Sequence, residues 1–289
     1  MPMRAPTRQT GFTLIELVVT LVLTAIVVSF MAMFISAPIQ GFTDQARRSR
    51  LVDAADTALR RMGRDVRRAL PNSVRTTTNA GVVALELLST VDGGRYRRDA
   101  PGSPLQILDF SAADGSFDVV APFTQLAKPF SSTTSYLSIY NVGVPGADAY
   151  ELANVITPAG TTITIDVDGA TGEDRVTLNP AFRFAYGSPT QRVFLVDGPI
   201  TYLCDPVAAT LMRYSGYSIA TSQSARDSHG ELIGAGATAS LMANQVASCS
   251  FTYTAGTAER AGLVSLQIAV QAQGETISLL SQVHVDNVP

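Results

Sequence analysis

Histidine and cysteine are scarce in this chain, two of each among 289 residues. Neither Cys204 nor Cys249 has a histidine nearby at zinc spacing, which excludes the common Cys/His metal sites. His229 lies in "SARDSHGE", beside Ser and Asp, but no G-x-S-x-G elbow accompanies it, so a hydrolytic triad has no support. His284 falls on the polar side of the last candidate strand, and both histidines read as surface or rim residues. No paired acid–base constellation emerges, so the chain is not expected to be an enzyme and no cofactor is implied. Charge is missing too. Residues 1–11 hold Arg4 and Arg8 with no acid, and residues 17–43 hold no charged residue at all.

That uncharged run exceeds the roughly 20 apolar residues that cross a bilayer. The basic leader before it predicts a cytoplasmic amino terminus, with the remainder sent across the membrane. A cleaved secretory signal is the rival reading, but it expects an apolar core of about 7–15 residues followed by a small-residue cut site. Here the small residue, Gly11, comes before the apolar segment. The net charge of −3 conceals a basic first quarter and an acidic remainder: residues 12–75 carry nine Arg against five acids, residues 76–289 ten bases against nineteen acids. Both cysteines lie in the exported part, where disulfides persist. A bridge would be worth about 4 kcal/mol in the chain-entropy model; two buried free thiols are the alternative.

A second helical pattern follows in "TDQARRSRLVDAADTALRRMGRDVRRALP", after Pro38 and Gly41, where the proline should kink the chain. Val52, Ala55, Leu59, Met62, Val66 and Ala69 step by three and four, a one-sided stripe that Pro71 ends. From Gly81 the pattern turns to β. Candidate strands are "VVALELL", "YLSIYNV", "TTITIDV", "RVFLV", "ITYLC", "TLMRY" and "SCSFTYT". The last two segments are clearest: Val264, Leu266, Ile268 and Val270, then Ile277, Leu279, Val283 and Val285, alternate with polar residues. A hairpin turn is expected at Gly274 and Glu275, and further turns at Asp92-Gly93-Gly94, Asp114-Gly115, Asp168-Gly169 and Asp197-Gly198. The expected class is α+β: a long amino-terminal helix packed on an antiparallel sheet domain, with no second long helix and no repeat.

Three further motifs have chemical readings. Gly234, Gly236 and Ala239 match G-x-G-x-x-A, but without a βαβ unit a flexible loop is the better reading. "DVDGATGED" gathers Asp166, Asp168, Glu173 and Asp174, a weak calcium candidate whose spacing fails the EF-hand loop and fits a hairpin tip. Arg47, Arg48, Arg50, Arg60, Arg61, Arg64, Arg67, Arg68 and Arg75 could meet phosphates. Just outside a membrane span, lipid headgroups and acidic neighbours account for them without nucleic acid.

The stretch "GFTLIELVVTLVLTAIVVSF" resembles the amino-terminal signature of type IV pilins and type II secretion pseudopilins. The resemblance implies cleavage by an inner-membrane prepilin peptidase between Gly11 and Phe12, N-methylation of Phe12, and a family glutamate at Glu16. It also implies four segments: a leader over 1–11, a transmembrane and assembly helix over 12–40, an amphipathic helix over 41–71 and a β-rich periplasmic domain over 72–289. Partners would be other minor and major pilins, the inner-membrane assembly platform and membrane lipid. Segment 41–75, "ANQVASCSFTY" and "ISLLSQVHVDNVP" resemble more narrowly the O-type minor pilins of mannose-sensitive haemagglutinin pili. A J-like secretion pseudopilin and a tip adhesin, with Tyr214 and Tyr217 on exposed loops, are the competing readings. Glu16 has a physical rationale of its own. A carboxylate in an apolar helix wants a cation, and cleavage after Gly11 creates an α-amine that is cationic near neutral pH. An interfacial glutamate that simply faces headgroups is the alternative.

Overall fold

The structure is a computed structural model and describes residues 11–99, 107–256 and 260–289. All of the expected leader except Gly11 lies outside the described residues. The chain divides into two compact units, one ending at Arg50 and the other spanning Leu51–Pro289.

One helix, α1 (Leu14–Arg67), takes up both helical patterns. It runs through Pro38 and Gly41 as a single element, because a proline removes one amide donor while the bonds to either side remain. The unit boundary therefore falls within α1, ten residues beyond the expected division at residue 40. Leu51, Ala55, Ala58, Leu59, Met62 and Val66 are buried on the carboxy-terminal part of α1. Leu51 rather than Val52 opens this stripe, and Val52 stands at its half-buried edge. The helix also stops before Pro71. Leu70 donates its amide to the Leu88 carbonyl at 2.8 Å, Thr90 donates to Arg68 at 2.9 Å, and Ala69 bridges Ser89. A neighbouring strand thus captures the backbone four residues before the proline could act.

The remainder is antiparallel. Its first strands are β1 (Arg75–Asn79), β2 (Val82–Tyr96), β3 (Asp114–Ala121), β4 (Phe130–Ser132), β5 (Tyr136–Ser138), β6 (Thr162–Val167) and β7 (Asp174–Phe182). Then come β8 (Arg192–Asp205), β9 (Thr210–Ser215), a short helix α2 (His229–Gly234), β10 (Thr238–Asn244), β11 (Val246–Thr254), β12 (Gly262–Ala272) and β13 (Glu275–Val285). Ten strands form one sheet in the order β10-β9-β8-β2-β3-β7-β6-β4, with β1 on β2 and β5 on β8; β11-β12-β13 form a second. The stripe of α1 shares a core with Leu85 and Leu87 of β2, Tyr202 of β8, and Val264, Leu266, Val283 and Val285 of the smaller sheet. A second cluster, including Phe117, Ile163, Ile165, Val176 and Leu195, fills the far end of the large sheet.

Three expected turns are instead inside strands. "RVFLV" and "ITYLC" are one strand, β8, and Asp197-Gly198 is a bulge between them where the register with β2 shifts at Ser89 and Thr90. Gly198 takes φ +139°, open to glycine alone at low cost. Asp92-Gly93-Gly94 likewise lies within β2, where a Cβ on Gly94 would sit 2.6 Å from Val119 Cγ1. Asp114-Gly115 opens β3. The β12–β13 hairpin does turn tightly, one residue earlier than expected: Gln273 and Gly274 both have positive φ, and Ala272 pairs with Glu275. Cys204 on β8 and Cys249 on β11 form a disulfide with Cα atoms 6.3 Å apart, joining the two sheets.

Candidate functional site

The first residues of the described chain are built for access. Gly11, Phe12 and Thr13 precede the helix in non-helical backbone, and Phe12 is 77% exposed. The peptide between Gly11 and Phe12 therefore lies in open chain just before α1. Thr13 then starts the helix, its carbonyl accepting the amides of Glu16 and Leu17, both at 3.1 Å.

Glu16 sits in the first turn of α1. The Thr13 hydroxyl donates to Glu16 Oε2 at 3.5 Å, across the T-x-x-E spacing typical of helix starts. A carboxylate here also faces the positive end of the helix dipole, an effect of about 0.3–1 kcal/mol at exposed sites. Position at a helix end thus lowers the cost of this charge before any partner arrives. The carboxylate itself remains exposed to receive one.

From Leu17 to Phe42 the large apolar side chains of the helix are exposed. Leu17, Val18, Leu21, Val22, Phe30 and Phe34 are among a long series of exposed large hydrophobics that reaches Phe42. Three hydroxyls in this stretch are satisfied locally: Thr20 donates to the Glu16 carbonyl at 2.9 Å, Thr24 to the Thr20 carbonyl at 2.6 Å and Ser29 to the Ala25 carbonyl at 2.8 Å. Internal satisfaction is what a hydrocarbon surrounding demands. The helix is long and apolar enough to cross a membrane, and it fits a single-pass anchor.

The remaining candidates do not converge on chemistry. "DVDGATGED" is the β6–β7 hairpin tip, but cations from its own chain hold its acids. Asp168 meets Arg175 at 2.7 Å, Asp174 meets Lys128 at 2.6 Å, and Glu173 pairs with Arg97. Asp166 accepts the Val167 amide at 2.8 Å. Among the described residues no three metal-ligating side chains form a group, so the calcium candidate has no site. Gly234 ends α2 and Ala239 lies on β10, which pairs antiparallel with β9. The G-x-G-x-x-A stretch therefore leaves a short helix and enters a strand, the reverse of a dinucleotide motif and not a flexible loop.

"SARDSHGE" proves to be a helix start. Ser228 and Glu231 form a capping box for α2, while Asp227 is buried and accepts from Asn79 at 3.1 Å. His229 Nδ1 lies 2.7 Å from the Tyr214 hydroxyl, not near a nucleophile. The S-x-x-E spacing was the available signal for this reading. Tyr214 and Tyr217 are 1% and 6% exposed, against the expectation of exposed loop residues, because both rings pack into an apolar cluster with Leu203 and Leu232. His284 is exposed on β13, as its polar neighbours suggested. Of the arginines, Arg60 pairs with Asp56 at 2.7 Å and Arg47 with Asp44 at 3.0 Å.

One arginine belongs to the interior, which sequence reasoning missed. Arg75 on β1 binds Glu86 on β2 at 2.7 Å, the pair standing opposite each other in register. The Glu86 side chain is fully buried, and Arg75 also donates to the Ala220 and Thr221 carbonyls and stacks over Tyr150. Burial raises the Glu86 pKa, opposed by the Arg75 charge and hydrogen bond and by the Tyr217 hydroxyl. The lone acid within "VVALELL" was the only sequence signal.

Residues 6–32 match the family described as the prokaryotic N-terminal methylation motif. The chain thus carries a type IV pilin-like amino terminus, followed by an antiparallel β domain. No curated protein and no solved structure matches it.

Proposed function

We propose that this protein is a structural subunit of a type IV pilus or related fibre, and not an enzyme. The observation that carries this reading is the methylation motif at residues 6–32 standing at the head of an uncovered apolar helix. Prepilin peptidase cuts between Gly11 and Phe12, and the new Phe12 amine is methylated. In the inner membrane α1 is the single span, with the β domain on the periplasmic side, where the Cys204–Cys249 bridge is stable. In the fibre, apolar helices of neighbouring pilins cover one another, and Glu16 pairs with a Phe12 amine. The exposed arginines of α1 meet lipid headgroups or acidic neighbours. Within this class we assign the protein as a minor pilin of the O type found in mannose-sensitive haemagglutinin pili, helping to start or cap the fibre. That finer reading rests on the resemblance of segment 41–75, "ANQVASCSFTY" and the carboxy-terminal strand. Secretion genes beside this one, in place of pilus genes, would replace it with a J-like pseudopilin.

The test is Glu16→Ala in cells that assemble the fibre. Intact mass should still show loss of residues 1–11 and gain of one methyl, while the processed protein stays in the membrane fraction. Sheared fibres containing normal amounts of the variant would refute the pairing role.

A further inference from the structure

Between Arg60 and Arg68 every exposed residue of the chain is an arginine. Arg60, Arg61, Arg64, Arg67 and Arg68 face solvent, Met62, Gly63 and Val66 are buried, and Asp65 is half-buried. Of the five, only Arg60 has a counterion, Asp56 at 2.7 Å. Asp65 is taken by the domain, accepting from the Tyr202 hydroxyl at 2.6 Å and from Arg213 Nε at 2.8 Å. Arg61, Arg64, Arg67 and Arg68 have no side-chain partner among the described residues. Their spacing sets like charges against one another: Arg60 and Arg68 each stand four residues from Arg64, Arg61 and Arg67 three. Like charges at such spacings destabilise a helix. The helix dipole favours cations in the last turn, which holds Arg64 and Arg67, and does nothing for Arg60 and Arg61. Within this fold the cluster is a cost without a return.

We propose that this arginine face docks on a carboxylate-rich surface of a neighbouring fibre subunit, an inference that rests on the proposed function. The domain already covers the apolar face of this part of α1, so the arginine face is the one left for a neighbour. Position along the helix selects against lipid. Arg60 stands about five helical turns beyond Phe42, the last of the exposed large hydrophobics of α1. A headgroup layer is little more than one turn deep. Length and charge select against nucleic acid. The cluster is about 12 Å long, and a phosphate backbone running past it would meet a body whose residues 76–289 hold ten bases against nineteen acids. A compact set of carboxylates meets no such penalty. Guanidinium groups match carboxylates as forks, as Arg175 does with Asp118 through Nε at 2.7 Å and Nη2 at 3.3 Å.

The chain holds a single lysine, Lys128, whose amine is bound to Asp174, so a lysine placed in the cluster can be cross-linked selectively. Arg64→Lys keeps the charge. Cells that assemble the fibre with this variant are treated with a water-soluble carbodiimide, which condenses an amine and a touching carboxylate into an amide. Sheared fibres should then contain a species larger than the single chain, with position 64 joined to an Asp or Glu of another subunit. Arg61→Glu, Arg64→Glu and Arg68→Glu combined should lower fibre content about tenfold or more, because like charges then face each other across the contact. Membrane retention and thermal unfolding of that triple variant should match the parent. Absence of the parent protein from sheared fibres would sink the functional reading and this inference with it. Presence of Arg64→Lys in fibres, with position 64 joined to no other subunit, overturns this inference alone. So does a triple variant that enters fibres at the parent level. If that variant also loses binding to a duplex oligonucleotide or to phosphatidylglycerol vesicles, the face belongs to phosphate instead.

Discussion

The two ends of α1 share one secondary structure and have opposite surroundings. From Leu17 to Phe42 the large apolar side chains are exposed, whereas Leu51, Leu59, Met62 and Val66 are buried in the β domain. The difference lies in what surrounds each apolar surface. A stripe one face wide can be covered by the protein's own sheets, and the arginines then take the opposite face. A helix that is apolar all round cannot be covered by one domain, so it requires lipid or other helices.

Variants at the two ends sharpen this contrast, and the interior ion pair sets the upper end of the scale. Arg75→Met should cost about 3–5 kcal/mol in urea unfolding, because Glu86 keeps a buried, unpaired charge. Its pH dependence has a definite sign. Burial already raises the Glu86 pKa above the ordinary 4.5, and loss of Arg75 removes the largest opposing influences. A carboxyl raised in the folded state favours folding below its unfolded pKa and loses that advantage as pH rises through the folded value. The deficit of Arg75→Met should therefore be greatest near neutral pH and shrink on acidification toward 4.5. A deficit constant from pH 7 to about 4.5 would mean that the arginine acts through packing over Tyr150 instead.

Met62→Ala should cost about 2–5 kcal/mol, since Met62 is fully buried among α1 and both sheets. Leu21→Ala, 62% exposed on the same helix, should leave unfolding of the β domain within about 0.5 kcal/mol of the parent. On the proposed function, its effect belongs to membrane retention and fibre assembly. A Leu21→Ala loss as large as that of Met62→Ala would erase the distinction between the two ends.

Much of this architecture was legible as pattern. The apolar run, the stripe through Ala55, Leu59, Met62 and Val66, and the period-two strands β12 and β13 each follow from local spacing. Boundaries were less legible where a remote partner set them. The helix ends at Arg67 because Leu88 and Ser89 bind the next residues. Asp197-Gly198 reads as a turn in isolation and becomes a bulge because β2 pairs with both flanks. The acids of "DVDGATGED" look like ligands until Arg97, Lys128 and Arg175, distant in sequence or across a hairpin, supply their countercharges.

By itself the sequence determined the methylation motif at residues 6–32, the carboxylate at Glu16 and the membrane-competent helix, because each depends on residues adjacent along the chain. Only the tertiary structure decided that Arg75 and Glu86 meet, that Cys204 reaches Cys249, and that Asp197 and Arg213 border one cavity. Of these, the disulfide joins the strands farthest apart in sequence, β8 and β11. Strand register sets the Arg75–Glu86 pair and lays β9 beside β8, whereas the disulfide follows from the packing of one sheet against the other, and spacing along the chain encodes neither.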